Sequence, residues 1–251
     1  MLGGLGSATG KLLKSKGAQL ALLYAPFEAS RKDEVVKSTF GNETDSISTL
    51  QCDITSERSI KEAFEQISSE AKAFPSILIN AAGYVSVQPL EDTTAEEAMN
   101  NFLPNLLGPF NLSNAFFRVY QAHRRKVDVS GSIPPGRIVS ISSQASHVAL
   151  DGHGAYCASK AGLNGLTRCM ANEWGRKGIT ANTVSPTVAL TVLGKKAWAD
   201  DAKREAHLSQ IPTGRFAQPE EIAAAIEFLC RDESGMINGS DVRVDGGYAI
   251  R

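Results

Sequence analysis

The sequence predicts an α/β protein built as one doubly wound parallel sheet with helices on both faces. Strand-like and helix-like segments alternate from end to end. The strand-like runs QLALLY, SILIN and RIVSIS are short and apolar, as strands covered on both faces require. The length of 251 residues, 42% hydrophobic and 21% charged, suits one domain over 1–251 with a core large enough to need no staples.

The elements follow in order. Ser7–Lys16 reads as a helix stopped by Gly17, and Gln19–Tyr24 as a strand buried on both faces. Ala29–Phe40 is a polar helix and Ser48–Cys52 a strand. Ser56–Lys72 opens with a capping residue and repeats Ile60, Ala63, Phe64 and Ile67 at helical spacing. Ser76–Asn80 is a strand, and Thr94–Gln121 a long helix bent near Pro104. Arg137–Ser142 is a strand, Ala155–Gly175 a helix and Thr180–Val184 a strand. Pro219–Cys230 is a helix with proline in its first turn, and Asp241–Val244 is the last strand. The basic, then Pro/Gly-rich run His123–Gly136 reads as a surface loop. Val188–Gln210 is long for a connection, and at about 188–210 it is the expected substrate lid.

Composition narrows the function classes. A formal net charge of −1 offers no electrostatic footprint for nucleic acid. No apolar stretch approaches membrane-spanning length, so no membrane partner is expected. Cys52, Cys157, Cys169 and Cys230 lie far apart, which fits neither a disulfide framework nor a metal site. They read as reduced thiols of a cytoplasmic protein. Without a signal peptide, the sequons at Asn42, Asn111 and Asn238 are chance matches.

The strongest chemical signal is Tyr156-Cys-Ala-Ser-Lys160, with Ser143 upstream at the end of a strand. Tyrosine and lysine four apart share a helix face. A free tyrosine titrates near pH 10, and a lysine cation beside it favours the phenolate. Ser143, at the carboxyl end of its strand, can hydrogen-bond a substrate oxygen placed between it and Tyr156. Asn80-Ala-Ala-Gly83 follows an apolar strand with small residues, as close approach of backbone to a ligand requires, although a plain turn would look the same. Asp53 ends a strand and could equally cap the next helix. Asn105 follows Pro104, where a broken helix frees backbone groups that a water could satisfy.

These motifs, in this order and nearly from end to end, resemble the short-chain dehydrogenase/reductase family. The matching pieces are Cys52-Asp53-Ile54, Asn80–Gly83, Asn105 before Gly108, IVSISS ending at Ser143, Tyr156-x-x-x-Lys160, Asn182 through Pro186 to Thr191, and Val244-Asp-Gly-Gly247. The resemblance implies a Rossmann-like sheet, a nicotinamide cofactor and a homotetramer or dimer. It implies Tyr156 as general acid/base, Ser143 to polarise the substrate oxygen, and Lys160 to bind the nicotinamide ribose and tune Tyr156. Asn105 would hold a water relaying protons to Lys160. Asp53 would face the adenine, Asn80 and Gly83 the adenosine side, and Pro186 and Thr191 the nicotinamide end.

Ser185-Pro-Thr-Val-Ala-Leu-Thr191, Leu193-Gly-Lys-Lys-Ala-Trp198 and Ile211-Pro-Thr-Gly-Arg-Phe216 resemble the branch containing xylulose reductases and polyol dehydrogenases, as does Ser143-Gln144-Ala-Ser146 leading to Tyr156. That implies hydride exchange with a small polyol or ketose. Gln144, His147, Asp151, His153 and Trp198 are candidates to meet its hydroxyls. A 3-oxoacyl-thioester reductase and a non-catalytic member with impaired cofactor binding are the alternatives.

Two positions depart from the family pattern. Gly4-Leu5-Gly6 would end the glycine-rich phosphate loop, so Gly4 and Gly6 are its candidate residues, but Met1–Gly3 leave no room for the first strand. Its absence would leave unpaired strand edges beside Gln19–Tyr24 and Ser76–Asn80. The expectation is a chain truncated at its N-terminus, against a natural chain that binds cofactor poorly. The second departure is Tyr24-Ala-Pro26, where an acidic residue normally binds the NAD ribose. With no carboxylate there and Arg31 and Lys32 just beyond, NADP(H) is favoured over NAD(H).

Overall fold

The strands split into two parallel sheets. In the first, β1 (Leu20–Tyr24) pairs with β2 (Ile47–Gln51), Leu20 opposite Ile47 and Tyr24 opposite Gln51. In the second, β3 (Ile77–Asn80), β4 (Gly136–Ile141), β5 (Ile179–Pro186) and β6 (Asp241–Val244) lie in that order. The structure is a computed structural model that describes residues 3–42, 44–70, 74–127 and 133–250. Among these residues no ladder joins β1 to β3, so the parallel strands fall into two separate sheets.

The interruption explains one correction. β1 is not buried on both faces; none of its five residues is fully buried. β4 and β5 have neighbours on both sides and are buried throughout. An apolar run alone cannot report whether a strand has two neighbours.

Alternation along the strands feeds two cores. Leu78, Ile138, Ile179 and Ala181 face one layer with Phe64, Leu112, Phe116, Met170 and Trp174. Val139, Ile141 and Val184 face the other with Ile222, Ile226 and Leu229. The first layer is supplied by α3 (Glu57–Glu70), α5 (Gly108–Lys126) and α6 (Gly154–Trp174). The second centres on α9 (Pro219–Cys230), against which α1 (Gly4–Ser15) packs.

Helix starts follow local chemistry. The Ser56 hydroxyl accepts from the Ser59 N–H at 3.3 Å ahead of α3. Thr94 accepts from the Glu97 N–H and opens α4 (Ala95–Phe102). The Gln218 N–H donates to Glu221 at 2.8 Å at the head of α9. Glu221 also takes two bonds from Arg215 at 2.6 and 2.7 Å, which holds its carboxyl down at about 2.

Several boundaries differ from expectation. α1 starts at Gly4 rather than Ser7, because Gly3 takes the extended capping conformation. The polar helix begins as a 3-10 turn (Pro26–Arg31) led by its proline and becomes α2 only at Lys32–Phe40. The long helix is not merely bent: α4 gives way to a π-helical turn (Leu103–Leu107) around Pro104, and α5 then runs on to Lys126. That extension removes the first residues of the expected surface loop; its residues 128–132 lie outside the described residues, as do 71–72 of the third helix and Met1 and Leu2. The 188–210 segment is not structureless: it folds as α7 (Val192–Ala197) and α8 (Asp201–Leu208), stitched at its base by the Ala189–Ala217 bridge.

Phe116 joins the first core at 1% exposure. Phe116→Ala leaves a cavity under β4 and lowers stability by about 3–5 kcal/mol. The expected fall in Tm is roughly 10 °C, measured by thermal unfolding. An unchanged Tm would mean this layer is not closely packed.

Candidate active site

The carboxyl ends of β3, β4 and β5 converge with the first turns of α6. Tyr156 and Lys160 share one face of α6, with the Lys160 ammonium 5.8 Å from the centre of the Tyr156 ring. Lys160 is 3% exposed and donates to the Ile141 carbonyl at 2.8 Å, using one of its three N–H groups on the last residue of β4. Burial pulls its pKa from 10.5 to about 8. Ser143 caps a 3-10 turn (Gln144–Ser146) after β4, its Oγ accepting from the Ala145 N–H at 3.2 Å.

The Tyr156 phenol does not behave as the pairing with Lys160 suggested. Its pKa is raised, because burial outweighs the hydrogen bond with the Ser143 hydroxyl, which lowers it. Burial thus disfavours the phenolate in the resting site.

Asn105 lies in the π-helical turn and is fully buried. Its side chain accepts from the Tyr84 N–H at 2.8 Å, donates to the Tyr84 carbonyl at 2.8 Å, and donates to the Ser159 hydroxyl at 2.9 Å. It thus ties the loop after β3 to α6. Gly83 fits between: a Cβ there would sit 3.3 Å from Asn105 Oδ1 and 3.7 Å from Lys160 Nζ.

The remaining sequence candidates fall around this centre. Asn80 ends β3 with Nδ2 on the Ser113 and Ser140 hydroxyls, while its buried Oδ1 has no partner among the described residues. Pro186 ends β5, and Thr191 caps α7 by accepting from the Gly194 N–H at 3.1 Å. Gly4 packs on Thr191 so closely that a Cβ would come within 2.5 Å of Thr191 Cγ2. This brings the head of α1, where the first-turn N–H groups of Gly4, Leu5 and Gly6 have no side-chain cap among the described residues, to the same edge as β5. Asp53 does not cap α3, whose start Ser56 caps; its Oδ1 instead accepts from the Thr55 N–H at 2.9 Å and hydroxyl at 2.7 Å in a local turn after β2. Lys32 lies 5.9 Å from the Tyr24 ring centre, at the end of β1. A carboxylate nonetheless reaches this end, since Glu28 accepts from the Ala25 N–H at 2.8 Å. The tripeptide Tyr24-Ala-Pro26 hid it because the 3-10 turn folds Glu28 back.

Among the polar candidates, Gln144 is 4% exposed with Oε1 unpartnered among the described residues. His153 heads α6 with its ring 6.3 Å from that of Tyr156. Its Nδ1 meets the carbonyl of Asp151, which lies in the turn before α6. His147 turns instead to Asp241 at 2.5 Å. Trp198 packs against His207 at 4.6 Å and Phe216 at 5.4 Å.

An adenine dinucleotide with a nicotinamide end fits what these residues present. The small-residue approaches at Gly4 and Gly83, the N–H groups at the head of α1 and the Lys160 ammonium suit phosphates and ribose hydroxyls. A family profile described as "Enoyl-(Acyl carrier protein) reductase" matches residues 2–249. The chain is 38% identical to a D-threitol dehydrogenase of Mycolicibacterium smegmatis, over 99% of this chain and 90% of that one. It is 37% identical to an NAD-dependent glycerol dehydrogenase of Listeria innocua, over 99% and 91%. It superposes at a TM-score of 0.86 and 25% identity on a gluconate 5-dehydrogenase from Burkholderia cenocepacia in complex with NADP and tartrate, covering 98% and 91%. The chain belongs to the short-chain dehydrogenase/reductase family.

As a member of that family it is a nicotinamide-dependent oxidoreductase of the polyol-dehydrogenase branch. Some residues beside the site were out of reach of the motifs. His207 on α8 stacks on Tyr248 at 4.9 Å and packs on Trp198 and Phe216, joining the 188–210 segment to the turn at Tyr248–Ile250. Burial, then Lys203 and His153, push its pKa down. No spacing rule connects residues so far apart in sequence; only their shared aromatic character hints at a cluster.

Lys160 binds its proton less tightly in the folded chain than in the unfolded one. Below pH 8 the folded state carries the full cost of the buried cation, and this cost is relieved as pH climbs from about 8 to 10.5. Lys160→Met removes it. Relative to the parent, the variant's stability is highest near neutral pH and declines by about 3 kcal/mol toward pH 10.5. Denaturant unfolding across that range checks the sign; a flat difference would place the ammonium in water.

Proposed function

We propose that the chain interconverts a small ketose and the corresponding polyol, using NADP(H) in preference to NAD(H). The observation that carries this is the meeting of Ser143, Tyr156 and Lys160 at one strand edge, with Asn105 locking the loop beside them. The polyol class is supported by the names of the relatives and by Gln144, whose buried amide oxygen is unspent beside Ser143.

Gly4 and Gly6 hold phosphate through first-turn N–H groups, with Asp53, Asn80 and Gly83 on the adenosine side and Lys160, Pro186 and Thr191 at the nicotinamide end. The nicotinamide supplies or takes up the hydride when bound. In reduction, Tyr156 gives its phenolic proton to the carbonyl oxygen, and Ser143 hydrogen-bonds that oxygen as charge develops. In oxidation Tyr156 is the base. Its raised pKa suits the acid role, and Lys160 favours the phenolate once the proton has left. Asn105 supports a proton path by keeping Gly83 and Tyr84 beside Lys160. Gln144, His153 and Trp198 meet substrate hydroxyls, and 188–210 closes over them.

The preference for NADP(H) is supported by Lys32 over Tyr24, with Arg31 beside it, and opposed by Glu28. The one-domain protein works in the cytoplasm as a homodimer or tetramer. Half-exposed Phe110 and a groove of about 820 Å³ between α3 and α5 support association with a second copy.

Two experiments test this reading. Tyr156→Phe lowers kcat at least about a hundredfold while Tm stays within about 2 °C, since only one hydroxyl is removed. Near-parental turnover on a ketose panel, with acetoacetyl thioesters as the control, would overturn the role of Tyr156. In fluorescence titrations, NADPH binds about tenfold tighter than NADH, and Lys32→Ala removes most of that margin by deleting one phosphate contact. Equal affinities in the parent would overturn the cofactor preference.

A further inference from the structure

The turn carrying Ser143 is held from two sides. From α6, Asn164 donates to the Ser146 hydroxyl at 3.0 Å, and Ser146 in turn donates to the Ser143 carbonyl at 2.7 Å. From the sheet, His147 closes the same turn: its N–H donates to the Gln144 carbonyl at 3.0 Å and its imidazole reaches across to Asp241. Asp241 opens β6 opposite Thr183 of β5. Its Oδ1 accepts from the Thr183 hydroxyl at 2.5 Å and the Ser185 hydroxyl at 2.7 Å, leaving Oδ2 to His147 Nε2 at 2.5 Å.

We propose that His147 is a positioning residue for Ser143, clamping the 143–147 turn to a carboxylate that β5 and β6 hold rigid. The carboxylate can only accept, so His147 Nε2 carries the hydrogen. A hydrogen bond to an ionised acceptor is short and strong. The acceptor is fixed beforehand by two hydroxyls on a strand buried along its whole length, so the imidazole meets a preset point. The turn can then swing neither toward nor away from Tyr156. Misplacing a catalytic group by an ångström costs about a hundredfold in rate. Asp241 and His147 lie 94 positions apart in the chain, and neither falls in a motif that the chemistry uses.

The kinetic part of this proposal rests on Ser143 polarising the reacting oxygen; the clamp itself does not. The test therefore has two arms on the full chain. The variants are His147→Leu, which deletes the donor, His147→Asn, polar but too short to reach Asp241, and His147→Gln, which restores a donor. In hydrogen exchange, Leu and Asn speed exchange of the amides at 145–148 at least about tenfold, and Gln returns it to within about threefold of the parent. In steady-state assays with ketose and NADPH, Leu and Asn lower kcat at least about tenfold with the KM for NADPH within about twofold, and Gln rescues. Unchanged exchange in both Leu and Asn overturns the clamp. A fall in kcat without faster exchange also overturns it, making His147 a direct substrate contact. Faster exchange with unchanged kcat overturns the positioning role. If the parent is inactive on every ketose, the proposed function fails, and the exchange arm still decides the clamp.

Discussion

A buried ammonium organises this molecule. Lys160 sits out of water with one carbonyl, the last of β4, as its fixed acceptor. A cation can be held there only if strand end, helix and neighbouring loop stay in register, because its desolvation cost must be offset by placed dipoles. β4 supplies the carbonyl, α6 delivers the side chain, and Gly83 leaves the room a Cβ would take. Asn105 then locks the Gly83–Tyr84 backbone to α6 through Ser159. The π-helical turn exists in the sequence at Pro104, and its consequence is to turn Asn105 inward rather than along a helix face.

Around that charge the two hydroxyls of the site divide the work. Burial raises the pKa of Tyr156, and Ser143 is hydrogen-bonded to it and to its own turn. Ser143 is the less secure of the two, since it lies on a turn and Tyr156 lies on a 21-residue helix. Asn164 on one side and the His147–Asp241 pair on the other make up for that. β5, buried along its whole length, is thus the reference against which both the turn and the base of the 188–210 segment are set.

The sequence carried much of this in legible form. Strand runs such as RIVSIS and the Ser56 and Thr94 caps express their structure locally, so they appear where expected to within a residue or two. The Tyr156–Lys160 spacing places both side chains on one face for the same reason. Less legible were features that depend on a neighbour. β1 reads as buried on both faces, but none of its five residues is fully buried. Asp53 reads as ligand or cap, yet Ser56 caps α3 and Asp53 closes a local turn onto Thr55. Glu28 is invisible as a neighbour of Ala25 until Pro26 starts a 3-10 turn.

The sequence by itself determined the order of strands and helices and the family, and it singled out the candidate reacting groups, because those are written in short-range periodicity and fixed spacings. Only the tertiary structure decided the protonation preference of Tyr156, the partner of His147, the aromatic seat of His207 and the approach of Gly4 to Thr191. Each of these is set by which atoms distant chain segments bring together in a low-dielectric interior, and burial there reverses what the isolated pair of residues would do.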